Sequence, residues 1–247
     1  MNIVFITSFK PFVGCDATSQ KSAIYSWGYN GINYISTSNI GGVRIGGVRK
    51  GSDLGYSSDA EVIKDIILSG LEKIEKGLVV FINGDIIVVP GFDKSIYDMV
   101  EKYGENSFYT ATRYDINLDF EVHDDKTYRD ACHLERRLYD TISSSDIFIM
   151  SKENMRRMAE DMPDLIMGRY GWDNWIHYWA AANVPHYNCT DTLITLHCNH
   201  NHDHIKDQEG LPGKMAPSSA HNLRLLQEMS DKYGSMIRIN KWQKVEL

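Results

Sequence analysis

The stretch LVVFINGDIIVVP, Leu78 to Pro90, decides the fold class. It is a nearly continuous apolar run ended by Pro90-Gly91, the pattern of a central strand buried on both faces of a sheet. Strand-like runs flank it: IVFITS (Ile3 to Ser8), NYISTSN (Asn33 to Asn39), FYTATRY (Phe108 to Tyr114) and DIFIMS (Asp146 to Ser151). Helical spacings lie between them. A helix is expected around Gln20 to Trp27. Ile63, Ile67, Leu71 and Ile74 mark another, with Ser58 and Glu61 spaced as a capping box before it and Gly77 as its stop. Ile96, Val100 and Tyr103 recur ahead of Gly104, a charged helical insert is expected from Lys126 to Asp140, and Met155, Met158 and Met162 line a helix ended by Pro163. Strands alternating with helices predict an α/β domain whose mostly parallel central sheet is covered on both faces.

The 247 residues suit one large domain spanning 1–247, and 43% hydrophobic content is enough to bury a sizeable core. No run of about 18 uncharged apolar residues occurs, so no membrane span is expected. The opening MNIVFITSFKPF lacks a basic start and a cleavage site, and reads as a first strand rather than a leader. Cys15, Cys132, Cys189 and Cys198 are scattered with no CxxC pair, which suits reduced thiols and a cytoplasmic protein. A net charge of −7 argues against broad, nonspecific nucleic-acid binding. The glycine-rich GGVRIGGVRKG (Gly41 to Gly51) offers Arg44, Arg49 and Lys50 to phosphates, or is simply a surface loop. It is not a Walker A sequence, and no GxGxxG follows the first strand, which counts against a dinucleotide-binding enzyme.

Three constellations carry chemistry. Asn83-Gly84-Asp85 places a carboxylate inside an apolar run, where burial is costly unless the acid is paired or binds a cation. At a strand end, Asp85 would face the crevice where open α/β sheets bind ligands; the alternative is a turn that splits two strands. GRYGWDNWIHYW (Gly168 to Trp179) puts Asp173 at a helix start, with Trp172, Trp175, Ile176 and Trp179 on one face. Asp173 there either caps the helix over a tryptophan core, or stands among rings that grip a sugar. LHCNHNHDH (Leu196 to His204) follows the strand-like TLIT and holds His197, His200, His202 and His204 within eight residues. Extended, it sets His200, His202 and His204 on one face with Cys198, and His197 on the other. Such a run is a metal-ligand candidate, a Cys/His zinc site or a solvated loop.

Together these segments resemble a group of bacterial GT-A glycosyltransferases, in order over most of the chain. Family members carry Pro-Phe and then Gln-x-x-Ala-Ile-x-Ser-Trp, matched by Pro11, Phe12, Gln20, Ala23, Ile24, Ser26 and Trp27. Their Ile-Asn-Ser-Asp-Ile strand is met by Ile82 to Ile86, with Gly84 for serine, and an Arg-x-Asp segment by Arg113, Tyr114 and Asp115. Their Gly-Arg-Pro-Gly-Trp-Asp-Asn-Trp block corresponds to Gly168 to Trp175, with Tyr170 for proline. Their His-Gln-Asn-His-Asp-Tyr-Ser-His segment corresponds to His197 to His204, keeping His197, Asn199, His200 and His204. A final Asn-x-Arg-Leu is echoed by Asn222, Arg224 and Leu225. The departures are a lone Asp85 in place of a two-acid pair, Cys198 for glutamine, Asn201 for aspartate and His202 for tyrosine.

The resemblance implies a GT-A-like sheet with a nucleotide-sugar-binding half (about 1–115) and an acceptor-facing half (about 116–247). It implies a UDP-sugar or related donor held by Thr7, Ser8, Asp53, Asn83, Asp85 and Arg113. Mn²⁺ or Mg²⁺ would sit on Asp85 with His200, or with His197 or His204; imidazole among oxygen ligands favours Mn²⁺. Asp173 would take the proton of the acceptor hydroxyl in an inverting enzyme, or hold a sugar hydroxyl in a retaining one, and Trp172, Asn174 and Trp175 would bind the acceptor, a saccharide or glycoconjugate. The alternatives are transfer to hydroxymethylated bases in viral DNA, a sugar nucleotidyltransferase, and a metal- or sugar-binding module without turnover.

Overall fold

The computed structural model describes residues 2–10, 12–37, 42–139, 145–199, 215–233 and 243–245. Strand β1 (Ile3–Thr7) is buried throughout, and its side chains alternate between two cores: Ile3 and Phe5 enter one, Val4 and Ile6 the other. β4 (Leu78–Ile82) divides the same way, with Leu78, Val80 and Ile82 opposite Val79 and Phe81; so does β9 (Ser145–Ser151), with Ile147 and Ile149 opposite Phe148 and Met150. They join β2 (Asn33–Ser36), β3 (Val43–Arg44), β6 (Phe108–Thr112), β10 (His186–Asn188) and β12 (Gln243–Lys244) in an eight-stranded sheet. Its order among the described residues is β12-β10-β6-β9-β4-β1-β2-β3. Every adjacent pair is parallel except those made by β9, which runs antiparallel to β4 and β6. The reversal brings the start of β9, Asp146, to the edge where β4 and β6 end.

Helices cover both faces, as the α/β reading expects. α1 (Gly14–Tyr29) and α3 (Phe92–Tyr103) supply Trp27, Phe92, Ile96 and Met99 to one core. α2 (Ile63–Leu71), α5 (Lys152–Asp161), α6 (Trp172–Asn183) and α7 (Pro217–Tyr233) supply Ile63, Ile67, Met155, Met158, Trp179 and Met229 to the other. A second sheet, ordered β5-β11-β7-β8, is built from β5 (Ile86–Val88), β7 (Tyr114–Ile116), β8 (Arg136–Leu138) and β11 (Thr195–Cys198). α4 (Asp125–Cys132) buries Tyr128 and Ala131 against it. No described helix is long and apolar enough to cross a membrane.

Several expectations need correction. The run 78–90 is not one strand: β4 ends at Ile82, the chain turns through Asn83-Gly84-Asp85, and β5 resumes in the other sheet. FYTATRY breaks the same way, passing from β6 to β7 at Arg113. Apolar content marks both pieces as buried but does not say in which sheet. The insert expected to be helical to Asp140 ends its helix at Cys132, and Arg136–Leu138 pairs with β7 instead. Ser58 and Glu61 form no capping box, because α2 begins beyond them with Val62 as its uncapped N-cap. α2 also ends at Leu71, short of Gly77, whose φ of 124° leads into β4.

The turn at Gly84 is made possible by a missing side chain. A Cβ there would lie 2.7 Å from the Ser8 carbonyl oxygen and 2.6 Å from Phe9 Cδ1. Phe9 is itself held by Trp27 and Phe12, at ring-centroid distances of 6.0 and 5.3 Å. This accounts for glycine where the resembled family has serine. Gly84→Ser is expected to cost about 1–3 kcal/mol, read from urea unfolding; unchanged stability would show that Phe9 yields freely.

Candidate active site

The two crossings between sheets lie side by side, and β11 sits between β5 and β7. In that register His197 is opposite both Ile86 and Asp115. Its ring is therefore delivered between the acid preceding Ile86 and the acid on β7. His197 Nδ1 lies 3.2 Å from Asp115 Oδ1, and Nε2 lies 3.8 Å from Asp85 Oδ2. His197 thus has a carboxylate oxygen facing each ring nitrogen, with the hydrogen bond made to Asp115.

The chain of charges continues through Arg113. Its Nε is 3.1 Å from Asp115 Oδ1 and its Nη1 2.9 Å from Asp146 Oδ2, while Tyr139 covers the guanidinium with its ring 4.6 Å from Cζ. Burial works against this charge, yet Asp146, with Asp115 and Asp85, holds the Arg113 pKa above its ordinary value. Burial likewise pushes Asp115 up, but the His197 hydrogen bond and Arg113 overcome it, and the carboxyl stays below the usual range. Asn83 Nδ2 donates to the other oxygen of Asp146. Among the described residues, Asn83 Oδ1 and Asn174 Oδ1 are buried without a hydrogen-bond partner. Such an atom costs about 1–3 kcal/mol unless something polar meets it.

Asp173 completes the site. Gly171, in the left-handed region at φ 87°, is the N-cap of α6, so Asp173 lies within the first turn and is not the cap. Its Oδ1 accepts the Asn174 N–H at 2.9 Å. Burial pushes its carboxyl up to about 7; the Asn174 amide and Arg113 draw it down, and Asp146 adds to the rise.

No protein-family model and no curated protein matches the chain. Among solved structures it is similar to two of S. aureus TarS, residues 1–349. The one in complex with UDP shows 12% identity and a TM-score of 0.48, over 97% of this chain and 74% of that chain. The one in complex with UDP-GlcNAc shows 10% identity and a TM-score of 0.48, over 95% of this chain and 74% of that chain.

The structure brings together Asn83, Asp85, Arg113, Asp115, Asp173, Asn174 and His197 from the sequence reading. His200, His202 and His204 lie outside the described residues. Other expected site residues have different work. Thr7 Oγ1 is buried and donates to Ile82 O at 2.7 Å, tying β1 to β4. Asp53 accepts the Lys50 N–H at 2.7 Å, a local turn contact. Trp172 and Trp175, 7% and 3% exposed, are core residues; Trp172 packs edge-on against Phe81 and Phe148 and offers no face to a sugar. Arg49 of the glycine-rich stretch is bound to Asp65 and Asp164 rather than to a phosphate. Arg113 is similarly engaged, by Asp115 and Asp146.

Two residues escaped the sequence reading. Glu61 accepts hydrogen bonds from Ser8 Oγ and, at 3.0 Å, from Thr37 Oγ1, a polar cluster at the ends of β1 and β2. Its only sequence signal was the capping-box spacing, which pointed elsewhere. Asp146 was visible only as the first letter of a strand. Arg169, buried, ties Ser58 to Ser218 of α7 at 3.0 and 2.8 Å, and Asn222 of α7 brackets the Ile166 peptide at 2.9 Å on both sides. These contacts fix the block that carries Asp173.

An aspartate whose folded pKa is about 7 lies well above the unfolded value of about 3.9. Between those values the unfolded chain ionises while the folded one keeps its proton, so stability is lost as pH rises through that window and stays lost above it. Asp173→Asn is therefore expected to be more stable than the parent at pH 8. The advantage should shrink as pH falls through 7 toward 4, followed by thermal unfolding; a pH-independent difference contradicts the raised pKa.

Proposed function

We propose that the protein is a GT-A-type glycosyltransferase that moves a sugar from a nucleotide-sugar donor, a UDP-sugar first, to a saccharide or glycoconjugate hydroxyl. The observation that carries this reading is the convergence of the Asn-Gly-Asp, Arg-x-Asp, Gly-Trp-Asp and His segments at one edge of the large sheet, with a carboxylate–imidazole pair beside a separate acid of raised pKa. The first three segments and His197 are those on which the family resemblance rests.

Donor recognition falls to the ends of β1 and β2, where Ser8, Thr37 and Glu61 present hydroxyls and a carboxylate suited to ribose hydroxyls. Asp85 and His197 would hold Mn²⁺ or Mg²⁺. Their facing atoms, 3.8 Å apart, and the Asp115 brace on His197 suit two ligands of one ion. They are two donors: among the described residues no cluster of three or more ligating side chains is present. When bound, the ion would supply charge neutralisation for the departing diphosphate. Asn83 and Asn174 offer their buried carbonyl oxygens to sugar hydroxyls. Asp173, poised to ionise near neutrality, takes the proton from the acceptor hydroxyl as its oxygen attacks the sugar's anomeric carbon and the bond to the diphosphate breaks. Tyr139, 39% exposed, lies over Arg113 with its ring beside this array.

The test is a panel of nucleotide sugars, scored by thermal shift and by donor hydrolysis with Mn²⁺ or EDTA. One donor should stabilise the protein selectively and be turned over slowly to water. Asp85→Asn should abolish turnover and the metal-dependent part of donor affinity. Asp173→Asn should lose about 10²–10⁴-fold in transfer while keeping donor binding. Full activity in EDTA would overturn the metal assignment; no response to any nucleotide sugar would overturn the function.

A further inference from the structure

Lys10 lies in the connection from β1 to α1. Its place is set by the helix, since the buried Gln20 donates its Nε2 to Lys10 O at 3.2 Å. The ammonium stands between two carboxylates, 3.6 Å from Asp16 Oδ1 and 3.9 Å from Asp85 Oδ2, with 37% of the side chain exposed. Neither separation is a hydrogen bond, and pairs this loose and wet contribute little. Arg113 is the opposite case, its side chain only 12% exposed, with Nε and Nη1 engaged by two aspartates. Of these two cations on the acid cluster, Lys10 is the one that can leave its partners at small cost.

The oxygen that Lys10 faces is also the one that His197 Nε2 faces at 3.8 Å. A divalent ion on that oxygen and an ammonium beside it repel one another, so entry of the ion drives the lysine off. The released group is a compact charge with three donors on a flexible stem, suited to diphosphate oxygens.

We propose that Lys10 is a displaceable counter-ion, which pairs with Asp85 in the absence of a divalent ion and moves onto the diphosphate when such an ion takes Asp85. The assignment rests on the nucleotide-sugar reading and adds to it a protein-borne charge on the leaving group. It also sets two affinities in opposition, because the same lysine that opposes ion binding favours diphosphate binding.

Lys10→Met separates them in calorimetric titrations with Mn²⁺ alone, and with UDP or inorganic pyrophosphate in the presence of Mn²⁺. Mn²⁺ alone should bind the variant several-fold more tightly than the parent. UDP and pyrophosphate should bind about tenfold more weakly, the size of one lost charge-assisted contact. Lys10→Arg should keep most of the parent's diphosphate affinity. A merely structural role for the loop would weaken both ligands together, and that outcome overturns the proposal, as does unchanged UDP affinity in Lys10→Met. If the parent binds neither UDP nor pyrophosphate, with or without Mn²⁺, the nucleotide-sugar reading falls and the assignment with it.

Discussion

The structure depends on the chain's passage from one sheet to the other at Asn83-Gly84-Asp85. A side chain at residue 84 would meet the Ser8 carbonyl and the ring of Phe9, so the crossing requires glycine. Ser8 and Phe9 are in turn fixed by β1, whose every residue is buried. The second crossing, at Arg113, runs alongside, and β11 fills the space between the two continuations. Because both crossings leave the large sheet at the ends of its parallel strands, the polar residues of the turns collect where such sheets present ligands. The antiparallel β9 adds Asp146 to the same edge. The acid cluster thus follows from topology rather than from local sequence preference.

Its charges are arranged to tolerate burial. Asp85, His197, Asp115, Arg113 and Asp146 form a line in which the guanidinium is shared between Asp115 and Asp146 and the imidazole stands between Asp85 and Asp115. Buried charges persist only when paired in this way, and removing one member leaves its neighbour uncompensated. Asp173 lies within electrostatic reach of Asp146 and Arg113, yet burial dominates it and its carboxyl rises to about 7. Two kinds of acid therefore coexist on one edge: Asp115, held ionised by its partners, and Asp173, held near the point of proton exchange. The proposed sugar transfer would use both, one to neutralise a leaving group and one to accept a proton.

The tryptophan block shows where aromatic-rich sequence misleads. Trp172, Trp175 and Trp179 follow α6 at helical spacing, and all three turn inward to the core shared with α2 and α5. Spacing that puts residues on one face says that the face is buried against something. It does not distinguish protein from ligand, and a large apolar ring gains more from permanent burial than from intermittent contact with a sugar.

The sequence by itself determined the α/β class and the alternating strands and covering helices, and it singled out Asp85, Asp173 and the histidine run as candidate site residues. Those signals are local: periodicity assigns a residue to a face, and a carboxylate in an apolar stretch stands out wherever it lies. It also set His197 on the face opposite Cys198, and the structure has His197 on Asp115 and Cys198 in the core of the second sheet. Tertiary structure alone decided that 78–90 and 108–116 each split between two sheets, and that Glu61 belongs to Ser8 and Thr37 rather than to a helix cap. It alone showed that Thr7, Arg49 and Arg113 are engaged by partners from 16 to 115 residues away. A single chain's spacing holds no record of such distant pairings, because strand register and sheet order bring those residues together only once the core has closed.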